Sequence, residues 1–106
     1  FAKAMGASLF AEKISAVEAA NSGLIWEAVP DESFEETWRA RAAQLANGPT
    51  AAYQNVKKAL RASLGNTLDE QLVLEARLQK ECGQTRDFAE GVLAFTEKRA
   101  ANFEGR

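Results

Sequence analysis

Three Ser/Thr-x-x-Glu sequences constrain this chain more than any other feature. Ser15-x-x-Glu18, Ser33-x-x-Glu36 and Thr67-x-x-Glu70 each have the form of a capping box. In such a box the hydroxyl takes the amide of the third helical residue, and the Glu carboxylate takes the amide of the cap. Each box is followed by a helix-length run that ends on a glycine pair, at Ser22-Gly23, Asn47-Gly48 and Cys82-Gly83. Pro49 suits the first turn of a further helix, because the N–H it lacks would be unbonded there. That helix carries Tyr53, Val56, Leu60 and Leu64 at helical spacing and should end at Gly65. Thr85 or Asp87 caps the last helix, which should run to about Arg99. Phe1, Met5 and Leu9 share a face and suggest the remnant of one more. The expected fold is mainly α, with five to six helices.

One segment breaks the pattern. Residues 24–29, Leu-Ile-Trp-Glu-Ala-Val between Gly23 and Pro30, are β-branched or aromatic in part and too few for a helix, so they read as one short strand. A strand needs a neighbour for its ladder, and no other segment resembles one. Either another chain or a missing segment pairs with it, or the stretch is an isolated extended connector.

The helix opened by Thr67 spreads Leu68, Leu72, Val73, Leu74, Ala76, Leu78 and Cys82 over more than half its circumference, wider than one core face needs. It should be covered on two sides. Gln71, Glu75 and Gln79 form a polar row within that spread, as pocket groups or as interface hydrogen bonds. Cys82 is the only cysteine, so no internal disulfide forms. As a nucleophile it would want a histidine, and the chain has none, which leaves a small buried apolar side chain as its role.

Composition mainly excludes. A length of 106 residues holds at most one modest domain, and a net charge of -2 without a basic block gives no footprint for a nucleic acid. No apolar run approaches the roughly 18 residues that span a bilayer, and no secretory signal is visible. A cytoplasmic location is expected. The start at Phe1 suits an internal piece of a longer protein equally well.

At about 100° per residue, Phe95, Lys98 and Arg99 fall in one sector of the last helix and set an aromatic plane beside two cations. A purine could lie on the ring while phosphates pair with the cations. Alternatively Phe95 continues a Phe88, Val92, Phe95 core stripe and the cations merely favour the negative helix end. No set of residues suggests a metal site.

Read in order, Ala11-Glu-Lys-Ile-Ser-Ala-Val-Glu-Ala-Ala20, Ser22-Gly-Leu-Ile, Val29-Pro-Asp31, Gly48-Pro49, Lys57, Ala59-Leu60, Leu74-Glu75, Gln79 and the closing Glu90-Gly-Val-Leu-Ala-Phe-Thr-Glu-Lys-Arg99 resemble the C-terminal part of the enoyl-CoA hydratase/isomerase (crotonase) superfamily. Trp26 and the final Phe-x-Gly-Arg are most similar to its 1,2-epoxyphenylacetyl-CoA isomerases of phenylacetate degradation. The resemblance implies the end of the spiral α/β core at about 1–31 and a helical oligomerisation region at about 32–106, forming trimers or hexamers. It implies an acyl-CoA thioester as substrate and no tightly bound cofactor. The oxyanion-hole amides and proton-transfer acids of the family would lie upstream, so no catalytic residue is expected here and the chain alone should be inactive. Phe95 and Lys98 match residues that meet CoA, the Lys at its 3′-phosphate, and Arg99 is the adjacent candidate for a phosphate. A free-standing helical interaction module is the alternative from a different class. A crotonase relative with hydratase, dehydratase or hydrolase chemistry also stays open.

Overall fold

The computed structural model describes residues 1–106 and contains six helices: α1 (Ala2–Phe10), α2 (Ala16–Asn21), α3 (Asp31–Ala46), α4 (Thr50–Ala62), α5 (Leu68–Gly83) and α6 (Arg86–Glu97). The chain divides into two compact units, Phe1–Arg39 and Ala40–Arg106. No helix is long and apolar enough to cross a membrane.

In the first unit, α1 ends where Ala11 turns left-handed at φ 51°. The Ser15 box forms as expected: the Glu18 N–H donates to Ser15 Oγ at 3.2 Å, and the Ser15 N–H donates to Glu18 Oε2 at 3.0 Å. The Ser15 hydroxyl, donating to Glu18 Oε2 at 2.7 Å, and then the Ser15 N–H hold the Glu18 carboxyl below its ordinary range. Gly23 closes α2 at φ 75°, with its N–H bonded to Ala20 O and that of Leu24 to Ala19 O, a Schellman arrangement. This closure accounts for the first departure from expectation. Residues 24–29 form no strand; they are bends followed by irregular chain. The N–H groups of Leu24 and Ile25, which a ladder would need, are given to the end of α2 at Ala19 O. The second departure is the start of α3. It begins at Asp31, two residues before the expected box, and Ser33 Oγ donates to Pro30 O instead of capping. Pro30 stops the preceding chain, and Asp31 and Glu32 then supply the first-turn acids that a helix N-terminus favours.

In the second unit, α4 lies against α5, joined by the turn that the Thr67 box closes. Thr67 Oγ1 receives the Glu70 N–H at 3.4 Å, and Glu70 Oε2 receives the Thr67 N–H at 2.8 Å. The face that α4 turns inward is not the expected Tyr53, Val56, Leu60, Leu64 stripe. Val56, Leu60 and Leu64 are exposed, whereas Asn55 is buried and Ala52, Ala59 and Ala62 are half-buried. Small residues let the two helices approach, and a polar clasp fastens them. Asn55 Nδ2 donates at 3.4 Å to Leu78 O, Glu81 Oε2 and Cys82 Sγ, while Asn55 Oδ1 accepts from Lys58 at 3.1 Å. Gln71 Nε2 adds a bond to Ala59 O at 3.2 Å, so at Gln71 the polar row of α5 is a helix-to-helix hydrogen bond.

Burial is scant. Ala19, Leu78 and Ala94 are the buried apolar residues, and α5, which meets α4 and α6, leaves Leu68, Leu72 and Val73 open to solvent.

Candidate functional site: the α6 groove and its strap

The last helix begins at Thr85, whose Oγ1 accepts the Phe88 N–H at 3.1 Å. Thr85, and not Asp87, is therefore the cap. At its other end α6 stops at Glu97, two residues short of expectation, because Lys98 turns left-handed at φ 55°. The Lys98 N–H bonds Phe95 O at 3.3 Å and the Arg99 N–H bonds Ala94 O at 3.0 Å, the same Schellman pairing that ends α2. At α2 the left-handed position is Gly23, where it costs nothing sterically; here it is a lysine. Lys98 and Arg99 thus lie beyond the helix and do not continue one helical sector with Phe95, which corrects the single-face geometry read from spacing.

From Lys98 the chain returns along α6 as a strap of residues 99–106, held by two carboxylates one turn apart on the helix. Glu90 forms a fork with Arg99, Nη1 to Oε1 at 2.6 Å and Nη2 to Oε2 at 2.9 Å, and Glu90 Oε1 also accepts the Asn102 N–H at 2.7 Å. Arg99 Nε further donates to Glu97 Oε2 at 2.6 Å. The hydrogen bonds from Arg99, then that from Asn102, lower the Glu90 pKa to about 2, and the same pairing with Glu90 and then Glu97 raises that of Arg99. One turn earlier, the buried Asp87 carboxylate accepts the N–H groups of Glu104 at 2.7 Å and Gly105 at 2.8 Å, and the Asp87 N–H donates to Arg106 O at 3.0 Å. Gly105 takes φ 78° beside Thr50, a conformation that a side chain would strain. Neither clasp was foreseen from the sequence. The Asp87-x-x-Glu90 spacing, with a glycine near the end of the chain, was the available signal.

The strap lays the Phe103 ring over Gly91, with ring atoms 3.7 Å from where a Cβ would sit. Phe103, Phe88, Phe95, Val92, Pro49 and Cys82 line an open groove of about 390 Å³. Its size falls in the ordinary range for small-ligand sites. The Phe88, Val92, Phe95 stripe is therefore a groove wall and not core; the buried residues of α6 are Asp87 and Ala94. Phe95 is 85% exposed, a ring face held at the rim with nothing stacked on it. Cys82 is half-buried and accepts a bond from Asn55. Of the two cations after Phe95, Arg99 is committed to Glu90 and Glu97, while the Lys98 ammonium has no ion pair or side-chain hydrogen bond. No cluster of potential metal ligands occurs.

A helical array ending in this strap matches one family throughout: the enoyl-CoA hydratase/isomerase model covers residues 1–106. The chain belongs to the enoyl-CoA hydratase/isomerase family. It is 66% identical over 105 residues to a probable enoyl-CoA hydratase of Rhodobacter capsulatus, covering 99% of this chain and 41% of that protein. It is 40% identical to the 1,2-epoxyphenylacetyl-CoA isomerase of Escherichia coli, covering 99% of this chain and 40% of that one. A crystal structure from Mycobacterium abscessus assigned to the same family superposes with a TM-score of 0.92 at 35% identity, over 99% of this chain and 40% of the other. An enoyl-CoA hydratase/isomerase of Mycobacterium paratuberculosis gives a TM-score of 0.81 at 30% identity, over 91% and 38%. The chain thus spans about two-fifths of the length of the relatives it matches. Its helical fold is that of part of a crotonase-family subunit.

Proposed function

We propose that this chain is the C-terminal part of an acyl-CoA hydratase/isomerase subunit, where it supplies an oligomerisation surface and part of the CoA site. The observation that carries the reading is the pairing of an exposed Phe95 ring at the rim of an apolar groove with an uncommitted Lys98 three residues on. A purine has a flat apolar face and a phosphate a charge, and these two side chains offer one partner for each. Arg99 serves the site by holding the strap at Glu90 and is not the primary phosphate ligand. Val56, Leu60, Leu64, Leu68 and Leu72, all exposed on α4, α5 and their connection, form apolar surface suited to a neighbouring subunit or to the rest of its own. The groups that polarise the thioester and move protons are supplied from outside this chain, so the 106 residues alone turn over no substrate. Identity of 66% to a protein named as a probable enoyl-CoA hydratase, against 40% to the epoxide isomerase, supports hydration of an enoyl-CoA as the reaction.

Phe95→Ala in the complete enzyme tests the reading. Base stacking on an aromatic ring is worth about 1–3 kcal/mol, so the KM for acyl-CoA should rise by roughly fivefold or more. Turnover should hold, because the contact is present equally in ground and transition states. An unchanged KM in a folded variant overturns the proposal.

A further inference from the structure

The buried Asp87 carboxylate is not needed to start α6, since Thr85 already caps it. It is 3% exposed and no cation pairs with it. Its charge is met by two backbone amides of the strap and by its place in the first turn of α6. A buried carboxylate that spends both oxygens on one loop specifies where that loop lies. The bonded residues, Glu104 and Gly105, directly follow Phe103, whose ring is one wall of the groove. The Glu90 clasp holds the strap only as far as Asn102. Beyond Phe103 the side-chain anchor is the Asp87 pair, beside one backbone bond from the Asp87 N–H to Arg106 O, with Gly105 set in its left-handed turn beside Thr50.

We propose that Asp87 is a positioning residue for ligand binding: by latching the amides of Glu104 and Gly105 it sets Phe103 in the wall of the groove that Phe95 also lines. The inference rests on the reading of that groove as part of the nucleotide end of the CoA site, and it assigns the groove's shape to one buried side chain. Loss of the latch should free Phe103 and widen the groove, weakening acyl-CoA binding while leaving the chemical step alone.

The test compares wild type, Asp87→Ala, Asp87→Asn and Phe95→Ala in the complete enzyme, by amide hydrogen exchange and by steady-state kinetics. For Asp87→Ala, exchange at Glu104 and Gly105 should accelerate by about tenfold or more. The KM for acyl-CoA should rise by about fivefold, with kcat within about twofold of wild type. Asp87→Asn keeps one acceptor oxygen and should fall between the two, and it carries the test if the Ala variant does not fold. Faster exchange with an unchanged KM, while Phe95→Ala does raise KM, overturns the positioning role and leaves the CoA reading intact. Unchanged exchange overturns the latch itself. If Phe95→Ala leaves KM unchanged, the CoA reading fails and this inference falls with it.

Discussion

Lys98 occupies a position where glycine would be cheaper, and the size of that penalty can be worked out. A residue with a Cβ in the left-handed region costs about 1–2 kcal/mol. Glycine would escape that cost but would lose an extra 0.5–1 kcal/mol or so of backbone entropy on folding. Lys98→Gly should therefore stabilise the fold by a net of about 0.5–1 kcal/mol. In a complete subunit, of which this chain is about two-fifths, this raises Tm by roughly 1–4 °C. Lys98→Ala removes the same charge but keeps the strained backbone, so it should not share the gain. Thermal melts of the two variants beside wild type separate backbone from charge, and both variants should bind acyl-CoA more weakly than wild type. A Lys98→Gly protein no more stable than Lys98→Ala would refute the account of the helix end. A gain in stability together with lost binding would mark the lysine as kept for what it binds.

Two further predictions concern stability. Gly48 is buried where a Cβ would collide with the Tyr53 hydroxyl and ring. Gly48→Ala should cost about 1–3 kcal/mol in denaturant unfolding, and most of that cost should vanish in a Tyr53→Ala background; additive costs would contradict the collision. The pKa of Glu90 is lowered from its ordinary 4.5 to about 2 by Arg99 and Asn102. Its contribution is therefore fully present above the unfolded value and is lost as pH falls from about 4.5 toward 2. Glu90→Gln should flatten the acid limb of a stability-against-pH curve over that window, and a limb of unaltered slope would show that the fork does not hold in solution.

Most helix starts and stops were legible because they are local, although α4 ends at Ala62, short of the expected Gly65. The Ser15 and Thr67 boxes, and the ends at Gly23 and Gly83, follow from hydrogen bonds spanning a few residues. The Ser33 box failed because Pro30 with Asp31 and Glu32 offered an earlier start. The strand at 24–29 failed because β-branched composition says nothing about whether a partner exists, and the end of α2 took its first amides. The α4 stripe misled for a related reason. Apolar spacing marks a face to be covered without saying by what, and Asn55 with alanines made the closer fit to α5. Phe95 and Lys98 are both exposed. Their shared helical sector was not real, because the helix ends between them. The strap was out of reach, since Asp87 and Glu90 act on amides 12 to 18 residues away.

The most direct test of the CoA reading compares acyl-CoA with its 3′-dephospho counterpart, in the complete wild-type enzyme and in Lys98→Ala. An exposed charge-assisted contact worth about 1–2 kcal/mol predicts a wild-type preference of roughly five- to thirtyfold in kcat/KM for the phosphorylated substrate. Lys98→Ala should lose most of that preference with turnover nearly unchanged. A preference that survives the substitution intact would place the phosphate elsewhere and leave Lys98 a solvated charge at a helix end.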